Sequence, residues 1–149
     1  MERKKIRTYI LDTSVAIKWF VDEDDSDKAR HLRDSFVDGR SELVAPDLLK
    51  YELASALRFH PIADVARSTL LNALRAIDNY QFLIEPSKEA WTLAIQLSYS
   101  TPISLYDGLY LGLSHVLRSP LVTADQKLIR SLPQRQRINV LPLSEFESA

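Results

Sequence analysis

Two hydrophobic periods take turns along the chain. Short runs rich in β-branched and aromatic residues, bounded by turn residues, predict strands at RTYIL (7–11), SELVA (41–45), SPLVTAD (119–125) and INVLPL (138–143). Between them, apolar residues recur at three and four positions and predict helices. These are TSVAIKWF (13–20), SDKARHLRDSFVDG (26–39), ending at Gly39, and DLLKYELASALRF (47–59), opened by Pro46 and Asp47. His60 and Pro61 break that helix, and IADVARSTLLNALRAIDNY (62–80) restarts it with Asp64 as the N-terminal acid. QFLIEP (81–86) reads as a short extended piece, SKEAWTLAIQLSYS (87–100) and SLYDGLYLGLSHVL (104–117) as helices, and QKLIRSL (126–132) as a helical turn or two. The order β-α-α-β-α-α-α-α-β-α-β predicts an α/β fold with a mainly parallel central sheet flanked by helices. Ligands of such sheets gather outside the carboxyl ends of the strands. Asp12 directly follows the first strand and Asp125 comes shortly after PLVT, so both acids are expected at that edge.

Two further acids sit where apolar residues dominate. In the helix 104–117, Leu105, Leu109, Leu113 and Val116 form one stripe, and Tyr106, Tyr110, Leu111 and Leu117 cover much of the rest, so the helix reads as buried on most of its surface. Asp107 stands out against that background. Ser104 or Asp107 could supply an oxygen to the free N–H groups of the first turn, and the helix by itself does not decide between a cap and a functional carboxylate. Glu52 lies beside the stripe of Leu49, Leu53, Ala56 and Leu57, facing inward or at the margin of the core. An unpaired buried carboxylate costs on the order of several kcal/mol or is protonated, so a basic partner or a cation is implied.

With 149 residues the chain is read as one domain, 1–149. It has no cysteine, which excludes disulfides, Cys-ligated zinc, iron–sulfur clusters and thiol nucleophiles and leaves any metal to be held mainly by oxygen. The first apolar run is interrupted by Asp12, Lys18 and Asp22, too short for a membrane span and unlike a signal peptide, so a soluble cytoplasmic protein is expected. A formal charge of −1 gives no general basic field for nucleic acid. The local basic groups, Arg3, Lys4, Lys5 and Arg7 at the start and Lys127, Arg130, Arg135 and Arg137 near the end, read as solvated. So does the acidic run from Asp22 to Asp27. His31, His60 and His115 are scattered and read as structural, Trp91 as core, and Trp19 as lining the site or a subunit interface.

Four acids, Asp12, Glu52, Asp107 and Asp125, thus fall where strand ends or inward helix faces bring side chains together. Like charges crowd into one pocket only with raised pKa values or a compensating ion, and oxygen ligands suit Mg²⁺ or Mn²⁺. An aspartyl-phosphate phosphatase would want a second acid two positions after Asp12, where Ser14 stands. A dinucleotide site would want a glycine-rich first turn, and Gly39, Gly108 and Gly112 are the only glycines.

The segments YILDTSV with Asp12, APDLLKYELASAL with Glu52, SLYDGLYLGLS with Asp107 and PLVTADQKLI with Asp125 resemble the motifs of the PIN-domain family in order and approximate spacing. Over about residues 8–142 the chain looks like the small VapC-type toxin ribonucleases of that family. The resemblance implies a PIN-like fold and metal-dependent cleavage of single-stranded or looped RNA. In it Asp12, Glu52, Asp107 and Asp125 gather one or two Mg²⁺ or Mn²⁺ ions, and the hydroxyls of Thr13, Ser14 and Thr123 orient carboxylates or waters. It also implies a homodimer and a small VapB-like antitoxin whose C-terminal segment covers the acidic groove. Gly108 and Gly112 stand where relatives often have alanine; glycine weakens a helix by about 0.8–1 kcal/mol, so close packing against another helix is expected there. The rival readings are a PIN-like module that binds RNA or protein without cutting, and an RNA-processing PIN nuclease without an antitoxin.

Overall fold

The computed structural model describes residues 5–147; Arg3 and Lys4 of the first basic group lie outside them. Strand β1 (Arg7–Leu11) leads into the short helix α1 (Thr13–Ala16), a 3₁₀ turn (Ile17–Trp19) and α2 (Ser26–Val37). Next come β2 (Ser41–Pro46), α3 (Leu48–Arg58), α4 (Arg67–Tyr80), the two-residue β3 (Leu83–Ile84) and α5 (Lys88–Ser100). The chain continues through α6 (Leu105–Leu117), β4 (Leu121–Thr123), α7 (Gln126–Ser131), α8 (Gln134–Arg137) and β5 (Val140–Pro142), and a 3₁₀ turn (Leu143–Glu145) follows.

The five strands form one sheet in the order β3-β2-β1-β4-β5, and every pair is parallel. Tyr9 pairs with Leu43 and Leu11 with Val122, placing β1 at the centre with Ile10 and Leu11 fully buried. Successive strands from β1 build the sheet one way and β4 and β5 build it the other, so the order reverses between β1 and β4. The carboxyl ends of those two strands therefore border the crevice where such sheets bind ligands. Because α6 precedes β4 in a parallel sheet, it runs back across the sheet and begins at that same edge.

Glycine decides how α6 is seated. A Cβ at Gly112 would stand 2.5 Å from the Ala90 carbonyl oxygen, and one at Gly108 2.8 Å from that of Ala94, so the two helices approach backbone to side-chain-free backbone. Ala90 and Ala94 are themselves fully buried. The expected close packing is thereby located: its partner is α5.

Several local expectations are corrected. The helix expected over 62–80 begins only at Arg67, because the His60 ring holds the preceding segment as a loop. Its Nδ1 accepts from the backbone N–H groups of Ile62 and Ala63, and its Nε2 lies 2.8 Å from Glu23 Oε2. Asp64 therefore opens no helix. Glu23 is not a solvated member of the acidic run: hydrogen bonding to His60 and the charge of Lys18 outweigh the cost of burial and lower its pKa. The segment 13–20 divides into α1 and a 3₁₀ turn, and α8 was not expected. Trp19 lines neither the site nor a surface; it is buried, donates to the Ala29 carbonyl and packs edge-on against Tyr80 and Phe82. Trp91, expected in the core, is 41% exposed because the inner face of α5 is taken by its alanines. Leu105, Tyr106 and Leu117 are exposed as well, so α6 is buried through its middle and not at its ends.

Candidate metal centre

Asp12 is the first residue beyond β1, and the two strand ends are stitched together around it. Its N–H donates to the Val122 carbonyl, while its Oδ2 accepts from Ser14 Oγ at 2.5 Å and Thr123 Oγ1 at 2.7 Å. Ser14 Oγ also takes the N–H of Ala124, and Thr123 Oγ1 takes that of Asp125. The two hydroxyls thus hold one carboxylate oxygen and the backbone leading to the next acid. Burial raises the pKa of Asp12, the bonds from Ser14 and Thr123 work against that rise, and the charge of Asp125 adds to it.

Asp125 starts α7. Its Oδ1 accepts the Leu128 N–H at 3.1 Å, the side-chain cap expected of an acid at that position, and its Oδ2 has no partner among the described residues. Capping therefore occupies one oxygen only.

Glu52 lies one turn into α3, half-buried at the margin of the Leu49, Leu53 and Leu57 stripe. Its Oε1 accepts from Tyr110 Oη at 2.7 Å and Thr13 Oγ1 at 3.2 Å, and Thr13 Oγ1 lies 2.8 Å from the same phenol. Burial raises its pKa first, the Tyr110 bond opposes the rise, and the charge of Asp12 reinforces it. The basic partner allowed by the sequence is absent among the described residues. Burial and the Glu52 charge in turn push the Tyr110 phenol far up, so it stays a proton donor.

Asp107 settles the choice between cap and functional carboxylate. The N-cap of α6 is Ser104, whose Oγ accepts the Asp107 N–H at 3.1 Å; the Asp107 carboxylate accepts no backbone N–H among the described residues. Its pKa is pushed up to about 6, by burial first, then by the charges of Asp12, Asp125 and, more weakly, Glu52, with the nearby Ser104 hydroxyl easing the rise only in part. The charges of all three other acids are felt at this one side chain.

Among the described residues none of the four forms an ion pair with a cationic side chain. Nor is any group of three or more carboxylate or imidazole side chains there placed to hold a metal ion by itself. Asp12, Glu52 and Asp125 each have one oxygen held by a hydrogen bond and one with no side-chain partner among the described residues. That pattern fits Mg²⁺ or Mn²⁺, which bind through one or two carboxylates, keep waters and take further oxygens from a phosphate substrate. The sequence pattern missed Tyr110, counting it as apolar cover. The signal was there: a buried tyrosine needs a partner for its hydroxyl, and Tyr110 stands three residues after Asp107 on the same helix face.

Residues 9–132 match the family model of the PIN domain. No curated protein matches the sequence closely enough to count as a relative. Among solved structures the fold is similar to PAE2754 from Pyrobaculum aerophilum, at 16% identity and TM-score 0.66, covering 93% of this chain and 85% of that one. It is also similar to a toxin–antitoxin complex from Klebsiella pneumoniae, at 16% identity and TM-score 0.64, covering 93% of this chain and 99% of that one. A third is DNA-bound VapBC from Salmonella typhimurium, at 17% identity and TM-score 0.65, with the same coverage of 93% and 99%.

Proposed function

The chain belongs to the PIN-domain family, and from that premise we propose that it is a metal-dependent endoribonuclease, the VapC-like toxin of a toxin–antitoxin pair. This reading is supported by Asp12 and Asp125 following the paired strands β1 and β4 and by the charges of Asp12, Asp125 and Glu52 reaching Asp107, with no cationic side chain paired to any of the four among the described residues. Burial and mutual repulsion raise the pKa values of Asp12, Glu52 and Asp107, and a divalent cation would relieve that cost.

The four carboxylates would hold one or two Mg²⁺ or Mn²⁺ ions, whose chemistry there is to acidify a water and neutralise charge on phosphoryl oxygens. The chain's own residues do the positioning. Ser14 and Thr123 hold Asp12 through Oδ2, the Leu128 N–H holds Asp125 through Oδ1, and Tyr110 and Thr13 hold Glu52 through Oε1. Glu52 and Asp125 are each left with one oxygen that has no partner among the described residues, on side chains already fixed before substrate arrives. Asp107, free of capping duty, stands where the charges of the other three meet.

A small antitoxin partner is supported by the fold's likeness to a toxin–antitoxin complex and to VapBC. A homodimer is supported by the exposed stripe of Trp91, Ile95 and Tyr99 on α5, spaced four residues apart, and by exposed Leu105 and Tyr106 at the start of α6. No helix among the described residues is long and apolar enough to cross a membrane.

The test is cleavage of labelled single-stranded, hairpin and transfer RNAs with Mg²⁺, Mn²⁺ or EDTA, alongside Asp107→Asn. Cleavage should require metal and fall at least about 100-fold in the variant, the scale on which loss of a preorganised charged group acts. Parental cleavage in EDTA or by Asp107→Asn would place the chemistry elsewhere. RNA binding without turnover under every condition would favour a binding module.

A further inference from the structure

We propose that Tyr110 is a positioning residue for Glu52: with Thr13 it fixes one carboxylate oxygen so that the other is presented to the metal centre. The inference rests on the metal-dependent reading above and assigns a role to a side chain outside the acidic motifs.

Tyr110 is 1% exposed, so its ring belongs to the core, and a phenylalanine would fill that space without the cost of burying a hydroxyl. The hydroxyl instead reaches 2.7 Å from Glu52 Oε1 and 2.8 Å from Thr13 Oγ1, and Thr13 Oγ1 is itself 3.2 Å from Glu52 Oε1. Three oxygens form a closed triangle with one acceptor and two hydroxyl protons to share. With the phenol proton donated to Glu52, the threonine proton is left for Glu52 or for the phenol oxygen. In either arrangement Oε1 is engaged and Oε2 has no partner among the described residues. An unrestrained glutamate would sample several rotamers at the margin of a core; two donors on different elements, α1 and α6, select one of them.

The position of Tyr110 adds a second constraint. It stands three residues after Asp107 on one face of α6, so the helix that carries one acid also grips another. The spacing between Asp107 and Glu52 is set through a rigid helical turn, and no loop conformation intervenes.

The experiment measures Mn²⁺ affinity by electron paramagnetic resonance of the free ion, RNA cleavage kinetics and metal-free melting for the full chain and for Tyr110→Phe, Thr13→Val and Glu52→Gln. Tyr110→Phe should weaken Mn²⁺ binding by about 10-fold, the lower end of the range for residues that orient metal ligands. It should lower kcat with KM for RNA unchanged, and Thr13→Val should shift both readouts in the same direction. Unchanged Mn²⁺ affinity and kcat in both hydroxyl variants, while Glu52→Gln weakens binding, would overturn the role of Tyr110 and leave the metal reading standing. A parental chain that binds no Mn²⁺ would overturn both. Weakened binding in Thr13→Val decides for the proposal if Tyr110→Phe proves too unstable to assay.

Discussion

A carboxyl with a pKa near 6 is a liability to a metal-free protein at neutral pH. The proton on Asp107 is held more tightly in the folded chain, about 6 against an ordinary 3.8, so the contribution is present at low pH and is lost as pH rises between those values. Asp12 and Glu52, also raised, act in the same direction. Metal-free protein should therefore lose stability through that window, and Asp107→Asn should flatten the loss. At pH 8 the variant should be more stable than the parent by about 1 kcal/mol, once solvent screening of a partly exposed group is allowed for. For a chain of this size that is roughly 2–4 °C in melting temperature. Thermal melts in EDTA between pH 4 and 8 check the sign. A variant less stable than the parent at pH 8 would mean that Asp107 is held by favourable contacts instead of strained by its neighbours.

At the scale of elements, α5 and α6 form the contact that leaves least room for substitution. Gly112→Ala would gain about 0.8–1 kcal/mol of helix propensity. The new methyl, however, would stand 2.5 Å from the Ala90 carbonyl, an obstacle made of backbone that moves only if the helices separate. Overpacking of this kind costs about 1–3 kcal/mol, so net destabilisation is expected in urea unfolding. The consequence reaches the site, because α6 carries both Asp107 and Tyr110: Gly112→Ala should lower cleavage by more than its loss of stability explains. An alanine variant as stable and as active as the parent would show that the helices have slack. The same pair explains why Trp91 is exposed where its helical spacing suggested core. Small residues on α5 let the helices meet closely, and the large side chains turn outward.

For the whole molecule, the proposed metal centre would couple stability to cation binding. An ion that binds the folded chain alone stabilises it by about 2.7 kcal/mol when present at a hundred times its dissociation constant. Saturating Mn²⁺ should thus raise the melting temperature by about 5–10 °C at neutral pH. The rise should shrink as pH falls through about 6, where Asp107 takes up its proton, and it should shrink in Glu52→Gln. Melting that is indifferent to Mn²⁺ at pH 8 would show that the carboxylates do not share an ion.

The sequence by itself determined the alternation of strands and helices, the parallel sheet and the edge at which Asp12 and Asp125 emerge, because these follow from local hydrophobic period and from the handed geometry of such sheets. It also singled out Asp107 and Glu52, since a carboxylate among apolar neighbours is costly and therefore conspicuous. It left open whether Asp107 serves as a cap, which depends on where one hydroxyl and one carboxylate point in space. The tertiary structure decided that, seating Ser104 as the cap, and it decided the start of α4, where the His60 ring accepts from the N–H groups of Ile62 and Ala63 and bonds to Glu23 from another segment. It decided also that Tyr110 faces Glu52 across 58 positions of sequence. Periodicity reports which face of an element is buried; which polar groups meet there is set by packing between elements distant along the chain, and no local pattern encodes it.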